Sequence, residues 1–272
     1  MRVSRTFFLN LALAFLVVTS SVRTLHGAEP VRREWQVDGV SREALISIPD
    51  GAKEKPVPLV FAFHGHGGNM RQASRSFQIH AEWPEAIVVY MQGLNTPGQL
   101  TDPEGKKPGW QKAVGDQNDR DLHFFDAVLK SLKEDYRVDE TRIYSTGHSN
   151  GGGFTYLLWS ARPDVFAAMA PSGSAALKLR GTLKPLPVFH IAGENDPLVR
   201  YAWQSMMIES LRKDQKCGEG KPWNEKATLY PSEIGTPVVT YITNQGHKFP
   251  ADAPGMIVKF FKEHSKKTSD KE

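Results

Sequence analysis

Apolar and polar residues along this chain repeat with two periods. Nearly unbroken apolar runs over residues 57–63 and 86–90 predict strands buried on both faces of a sheet. Runs at 142–146, 167–170, 186–192 and 238–243 continue the strand series. Over 121–136 the period lengthens: Leu122, Phe125, Val128, Leu129, Leu132 and Tyr136 recur at three- and four-residue spacing and mark one face of a helix. Asp119 or Asp121 would serve as its N-cap. Further helices are predicted over 70–83, 152–160, 199–213 and 255–264. Residues 34–37 and 44–48 flank the turn Asp38-Gly39 and predict an opening antiparallel pair. Strands alternating with helices predict an α/β fold, with a mostly parallel central sheet and helices on both faces.

The pattern breaks in two places. Pro97, Gly98, Pro103, Gly105, Pro108 and Gly109 crowd the segment 93–115, which predicts a long irregular loop of the kind that carries function or moves. Within it, Trp110 is placed to line an aromatic or sugar-binding pocket, whereas Trp83, Tyr156, Trp159 and Trp203 are expected in the core. The other break is at the start. Arg2 and Arg5 precede an apolar run over 7–18, followed by mostly small and polar residues up to Ala28. That is the layout of a secretory signal peptide, too short to serve comfortably as a permanent membrane anchor. The expected organisation is a leader over 1–28 and a single catalytic domain over 29–272, exported to the periplasm or beyond.

Charge then excludes more than it suggests. Of the 34 Lys and Arg residues, Arg2, Arg5 and Arg23 lie in the leader, which leaves 31 against 30 Asp and Glu. A mature chain so close to neutral gives no support to a nucleic-acid partner. The one cysteine, Cys217, rules out an intramolecular disulfide, and a chain of 272 residues can rely on its core instead. The acidic run 116–121 fails as a calcium-binding EF-hand loop, because Arg120 falls where an oxygen ligand is needed; a helix N-cap cluster is the better reading.

The candidate chemistry centres on Gly147-His148-Ser149-Asn150-Gly151. This G-x-S-x-G sequence follows an apolar strand and opens into a helix, the setting of a strained turn that presents a serine hydroxyl. Gly152 and Gly153 are expected to extend the close approach of the backbone there. A serine needs a base, and the base needs an orienting acid. Asp196 and His247 stand in loops after later strands, in the chain order serine, acid, histidine, with Glu194 as the reserve acid. His190, inside a strand, reads as a satisfied core residue. For the oxyanion, the backbone N–H of Asn150 is one candidate donor. The other is that of His66, in His64-Gly65-His66-Gly67-Gly68 after the strand 57–63.

The stretch 57–68, the segment 119–153 ending in Gly-His-Ser-Asn-Gly-Gly-Gly, and the closing Gly246-His247-Lys248-Phe249-Pro250 resemble the polyhydroxybutyrate depolymerase and feruloyl esterase family of α/β-hydrolases. The resemblance covers roughly residues 35–262. It implies the α/β-hydrolase fold and hydrolysis of carboxylic esters outside the cytoplasm, on polyesters or on acyl groups linked to polysaccharide. It implies no cofactor and no metal. Two rivals stand beside it: a peptidase of the same fold, and a non-catalytic binding protein on a hydrolase scaffold.

Overall fold

The strand Val57–Phe63 is buried along its whole length, and its side chains alternate between two apolar clusters. Val57, Leu59, Phe61 and Phe63 point to one face, Val60 and Ala62 to the other. Successive side chains of a strand project to opposite faces, so a continuous apolar run means helices cover both. A computed structural model describes residues 28–267 of the chain. The expected leader lies outside the described residues, apart from Ala28. Among the described residues, no helix is long and apolar enough to cross a membrane.

Ten strands form one sheet among these residues. They are β1 (Val31–Val37), β2 (Val40–Ser47), β3 (Val57–Phe63), β4 (Ile87–Met91), β5 (Val138–His148), β6 (Ala168–Ser172), β7 (Val188–Gly193), β8 (Lys221–Pro222), β9 (Thr228–Tyr230) and β10 (Val238–Thr243). Their spatial order is β1-β2-β4-β3-β5-β6-β7-β10-β9-β8. The central strands from β4 to β10 pair in parallel, and the flanking ones are antiparallel. Helices α1 (Met70–Phe77), α2 (Ile79–Glu82) and α6 (Ala253–Lys262) cover one face. Helices α3 (Arg120–Asp135), α4 (Asn150–Ala161) and α5 (Tyr201–Asp214) cover the other. This is the α/β layering expected from the periodicity, with helices on both faces of a mostly parallel sheet.

Local departures have physical causes. The helix expected over 70–83 breaks at Gln78, which adopts φ 44°. Residues two apart on a straight helix point in nearly opposite directions; the break lets Phe77 and Ile79 both bury. The hairpin turn Asp38-Gly39 has both residues at positive φ, as a tight two-residue turn between antiparallel strands requires. Asp119 does occupy the position before α3, but its side chain makes no cap bond. Its Oδ1 instead accepts from Gly115 N–H at 2.7 Å and from Gln111 Nε2 at 2.8 Å. Trp203, expected in the core, is 36% exposed on α5.

Those acidic residues fasten the end of the long loop to α3. Asp121 is fully buried and accepts from Gln111 N–H at 2.9 Å and from Arg42 Nη2 at 2.7 Å. Arg42, in β2, also donates to the carbonyl of Arg120 at 2.9 Å. Its burial lowers its pKa, opposed chiefly by the Asp121 charge. Removing one partner of such a pair strands the other charge in the core. Asp121→Ala is therefore expected to reduce the unfolding free energy by about 3–5 kcal/mol in urea denaturation. A loss below about 1 kcal/mol would show that the carbonyl acceptors alone suffice for Arg42.

Candidate active site

Sequence context forces a turn between β5 and α4, and the glycines of that turn set its tightness. A β-carbon at Gly147 would stand 2.4 Å from the carbonyl oxygen of Gly151. At Gly151 it would stand 2.1 Å from that of Phe63, and at Gly152 2.5 Å from Ser174 Oγ. Gly153 differs from expectation: a β-carbon there meets nothing within 4 Å, because the residue already faces away from the sheet. Ser149 takes φ 57° and ψ −120°, a strained conformation for a side-chain-bearing residue. Its N–H donates to Ser172 O at 2.8 Å, which ties the turn to the neighbouring strand β6.

Asp196 and His247 leave from two paired strand ends, Gly193 of β7 and Thr243 of β10. The two loops are stitched together. Glu194 N–H donates to Thr243 O at 2.8 Å, and Asn195 Nδ2 to Asn244 O at 2.7 Å. The result brings three of the expected residues into line. His247 Nε2 lies 2.7 Å from Ser149 Oγ, and His247 Nδ1 lies 2.7 Å from Asp196 Oδ2. Asp196 Oδ1 accepts from the N–H groups of Leu198 and Val199, at 2.9 Å each. Glu194, the reserve acid, points into solvent. The carboxylate fixes a proton on Nδ1 of His247, which leaves Nε2 free to accept from the serine hydroxyl.

Two other histidines here are neutral for a common reason. Burial pushes His64 down to about 4 and His148 down to about 3. His64 Nε2 accepts from Gly93 N–H at 3.0 Å. The ring of His148 packs against that of His247, centroids 4.9 Å apart, and so forms one wall of the base. Phe249 lies edge-on to His148 and packs on Phe77 of α1, which wedges the histidine loop in place. Among the described residues, no three His, Cys, Asp or Glu side chains gather as metal ligands.

The expected oxyanion residues lie on either side of the serine. Asn150 begins α4, so its N–H falls in the first turn, where no intrahelical acceptor exists and the helix dipole is positive. The loop after β3 runs alongside: a β-carbon on Gly65 would stand 3.4 Å from that of Ser149. The N–H groups that follow His66 are taken, Gly67 by Pro108 O and Gly68 by Gly65 O. The His66 imidazole turns into the long loop, where Nε2 hydrogen-bonds Asp102 Oδ2 at 3.1 Å. The ring is wedged against Gly98 and Gly109, where β-carbons would stand 2.6 Å from it.

Trp110 corrects an expectation. It lines no open pocket: it is fully buried among Phe63, His64 and Phe154, and its Nε1 donates to His64 O at 2.9 Å. Its backbone is gripped by the Asn150 carboxamide, which accepts from Trp110 N–H at 2.7 Å and donates to Trp110 O at 3.1 Å. The residue after the serine thus has a second part to play. A motif reading of Asn150 attends to its backbone alone, so this part goes unseen. The long loop is also less irregular than expected, since Leu94–Asn95 pairs with Pro108–Gly109 at its base.

Comparison with known proteins places relatives beside this geometry. The prolyl oligopeptidase family model matches residues 109–183. A probable feruloyl esterase C of Aspergillus flavus is 28% identical over 229 residues, covering 78% of this chain and 80% of its own length. A bifunctional acetylxylan esterase/xylanase of Neocallimastix patriciarum is 27% identical over 203 residues, covering 71% of this chain and 28% of its own. The solved structure of a ferulic acid esterase superposes with a TM-score of 0.66 at 14% identity, across 88% of this chain and 98% of that one. That likeness concerns the fold.

The glycine contacts yield a paired test. Gly151→Ala drives a methyl into the Phe63 carbonyl and is expected to abolish soluble, folded protein or to lower Tm by more than 10 °C. Gly153→Ala, in open space inside a helix, is expected to raise stability by up to about 1 kcal/mol. Thermal unfolding of the two variants checks both.

Proposed function

We propose that this chain, which belongs to the feruloyl esterase and acetylxylan esterase family of α/β-hydrolases and hydrolyses carboxylic esters, works through a Ser149-His247-Asp196 triad. The observation that carries the proposal is the unbroken line from Ser149 Oγ to His247 to Asp196, with 2.7 Å at each step. Ser149 attacks the ester carbonyl while His247 Nε2 takes its proton. Asp196 holds the imidazole tautomer and stabilises the imidazolium that results. The carbonyl oxygen becomes an oxyanion, and the N–H groups of Asn150 and His66 are the donors proposed for it. The proton on His247 passes to the leaving alcohol, which departs and leaves an acyl group on Ser149. Water then attacks the acyl carbonyl as His247 takes its proton, and His247 returns that proton to Ser149 Oγ as the acid leaves. No step calls for a metal or cofactor.

The substrate class we propose is an acyl ester on a polysaccharide, feruloyl or acetyl. It rests on the names of the relatives above. Export is part of the same reading, supported by the charged and apolar leader over 1–28. Such substrates are polymers met outside the cell. A second reading, amide hydrolysis, is favoured by the match to the prolyl oligopeptidase family model across the elbow.

Hydrolysis of a short-chain nitrophenyl ester by the purified mature protein tests the triad. Ser149→Ala is expected to lower kcat on the order of 10⁵-fold. Retention of more than a tenth of the activity would exclude Ser149 as nucleophile. Methyl ferulate, acetylated xylan, hydroxybutyrate oligomers and a prolyl nitroanilide then separate the substrate classes. A preference for the anilide over every ester would move the assignment to a peptidase.

A further inference from the structure

The Asp196 oxygen that pairs with His247 Nδ1, Oδ2, has a second neighbour, and a buried polar chain meets it there. Gln204, in the first turn of α5, is fully buried on the apolar stripe it shares with Met207, Ile208 and Leu211. Its Nε2 donates to Val199 O at 2.7 Å and reaches Asp196 Oδ2 at 3.4 Å. Both neighbours are acceptors, which fixes the amide orientation and turns Oε1 the other way. That oxygen is buried and unpaired, and so is Nε2 of His190. His190, in β7, is fully buried, with Nδ1 2.7 Å from the hydroxyl of Tyr156 in α4. Burial holds His190 down to about 4, and the neighbour whose hydrogen bonding opposes that shift is Gln204.

A neutral imidazole carries one N–H. If the Tyr156 hydroxyl donates to Nδ1, the proton sits on Nε2, and the two orphaned groups become a donor and an acceptor for each other. We propose that Tyr156, His190 and Gln204 continue the Ser149-His247-Asp196 line as one buried hydrogen-bonded chain, with Gln204 the positioning residue that holds Asp196 and draws off part of its charge. The inference rests on the triad reading given above. Every donor in the added chain points toward Asp196, so the bonds polarise one another in one direction. At 3.4 Å the contact with Asp196 is longer than the 2.9 Å bonds from Leu198 and Val199, so its effect is modest.

The sign of the effect separates this role from plain packing. The titratable neighbours of His247 are Asp196 and the neutral His148, with Glu194 and Lys248 exposed on the flanking loops. A carboxylate with one donor fewer carries more charge toward His247 and favours its imidazolium. In Gln204→Met, assayed as the full mature enzyme, the acid limb of kcat/KM is therefore expected to rise by roughly half a pH unit. kcat should fall roughly tenfold, with KM held within about twofold. Tyr156→Phe removes one oxygen from the far end, and should move the limb in the same direction by less. It carries the test alone if Gln204→Met does not fold. A limb that stays in place overturns the proposal, as does one that falls, the result a loosened acid loop would give. Failure of the triad reading shows separately, as activity that survives Ser149→Ala.

Discussion

Ser149 sits at φ 57° and ψ −120°, a conformation that costs a residue with a side chain roughly 1–3 kcal/mol. The rest of the site is arranged so that no other conformation fits. The carbonyl of Phe63 presses against Gly151, and the carbonyl of Gly151 presses against Gly147, so strand, turn and helix touch backbone to backbone. The N–H of Ser149 goes to Ser172, and its carbonyl accepts from Gly153 at 2.9 Å. Both polar groups of the strained residue are committed, and the hydroxyl alone is left to face the base. The core on both sides of β3 supplies the stability that the strain draws on.

A second constraint is electrostatic. Three of the imidazoles within or just behind the site, His64, His148 and His190, are kept uncharged by burial. His64 braces the loop beside the serine, His148 stacks on the base, and His190 stands behind the acid. A positive charge on any of them would disfavour a second positive charge on His247. With these three neutral, His247 is the one of the four imidazoles that pairs with the Asp196 carboxylate. The buried pair of Arg42 and Asp121 follows a related logic elsewhere: each charge in the core has its counter-charge in contact.

Much of this was legible in the chain itself. The alternation of strand and helix periods gave the layers, because apolar runs such as 57–63 leave few alternatives to a strand covered on both faces. The chain order of Ser149, Asp196 and His247 named the residues that now lie in line, since the fold places their loops at one sheet edge. What escaped was side-chain contact across long separations. Gln204 lies on an apolar stripe, and that lone polar residue was a visible signal, but its partner Asp196 is not readable from spacing. Trp110 was misread because breaker residues around it suggested exposure, whereas Asn150 and His64 draw it inward. Gln78 hides a helix break inside a continuous periodic pattern, because the left-handed turn is made by a residue with no special propensity for it.

The long loop is fastened at its base by the pairing of Leu94–Asn95 with Pro108–Gly109, and Asn150 grips Trp110 just beyond. Its outer part meets the body where Asp102 takes the His66 imidazole and where Arg120 Nη2 donates to Thr96 Oγ1 at 2.6 Å. Such a segment behaves as a cassette. Residues between these fastenings can be exchanged for others of different length and shape while Ser149, Asp196 and His247 keep their places. A lineage could in this way reshape the surface beside the serine without disturbing the serine, histidine and aspartate, so long as the incoming loop still offers His66 and Arg120 their acceptors.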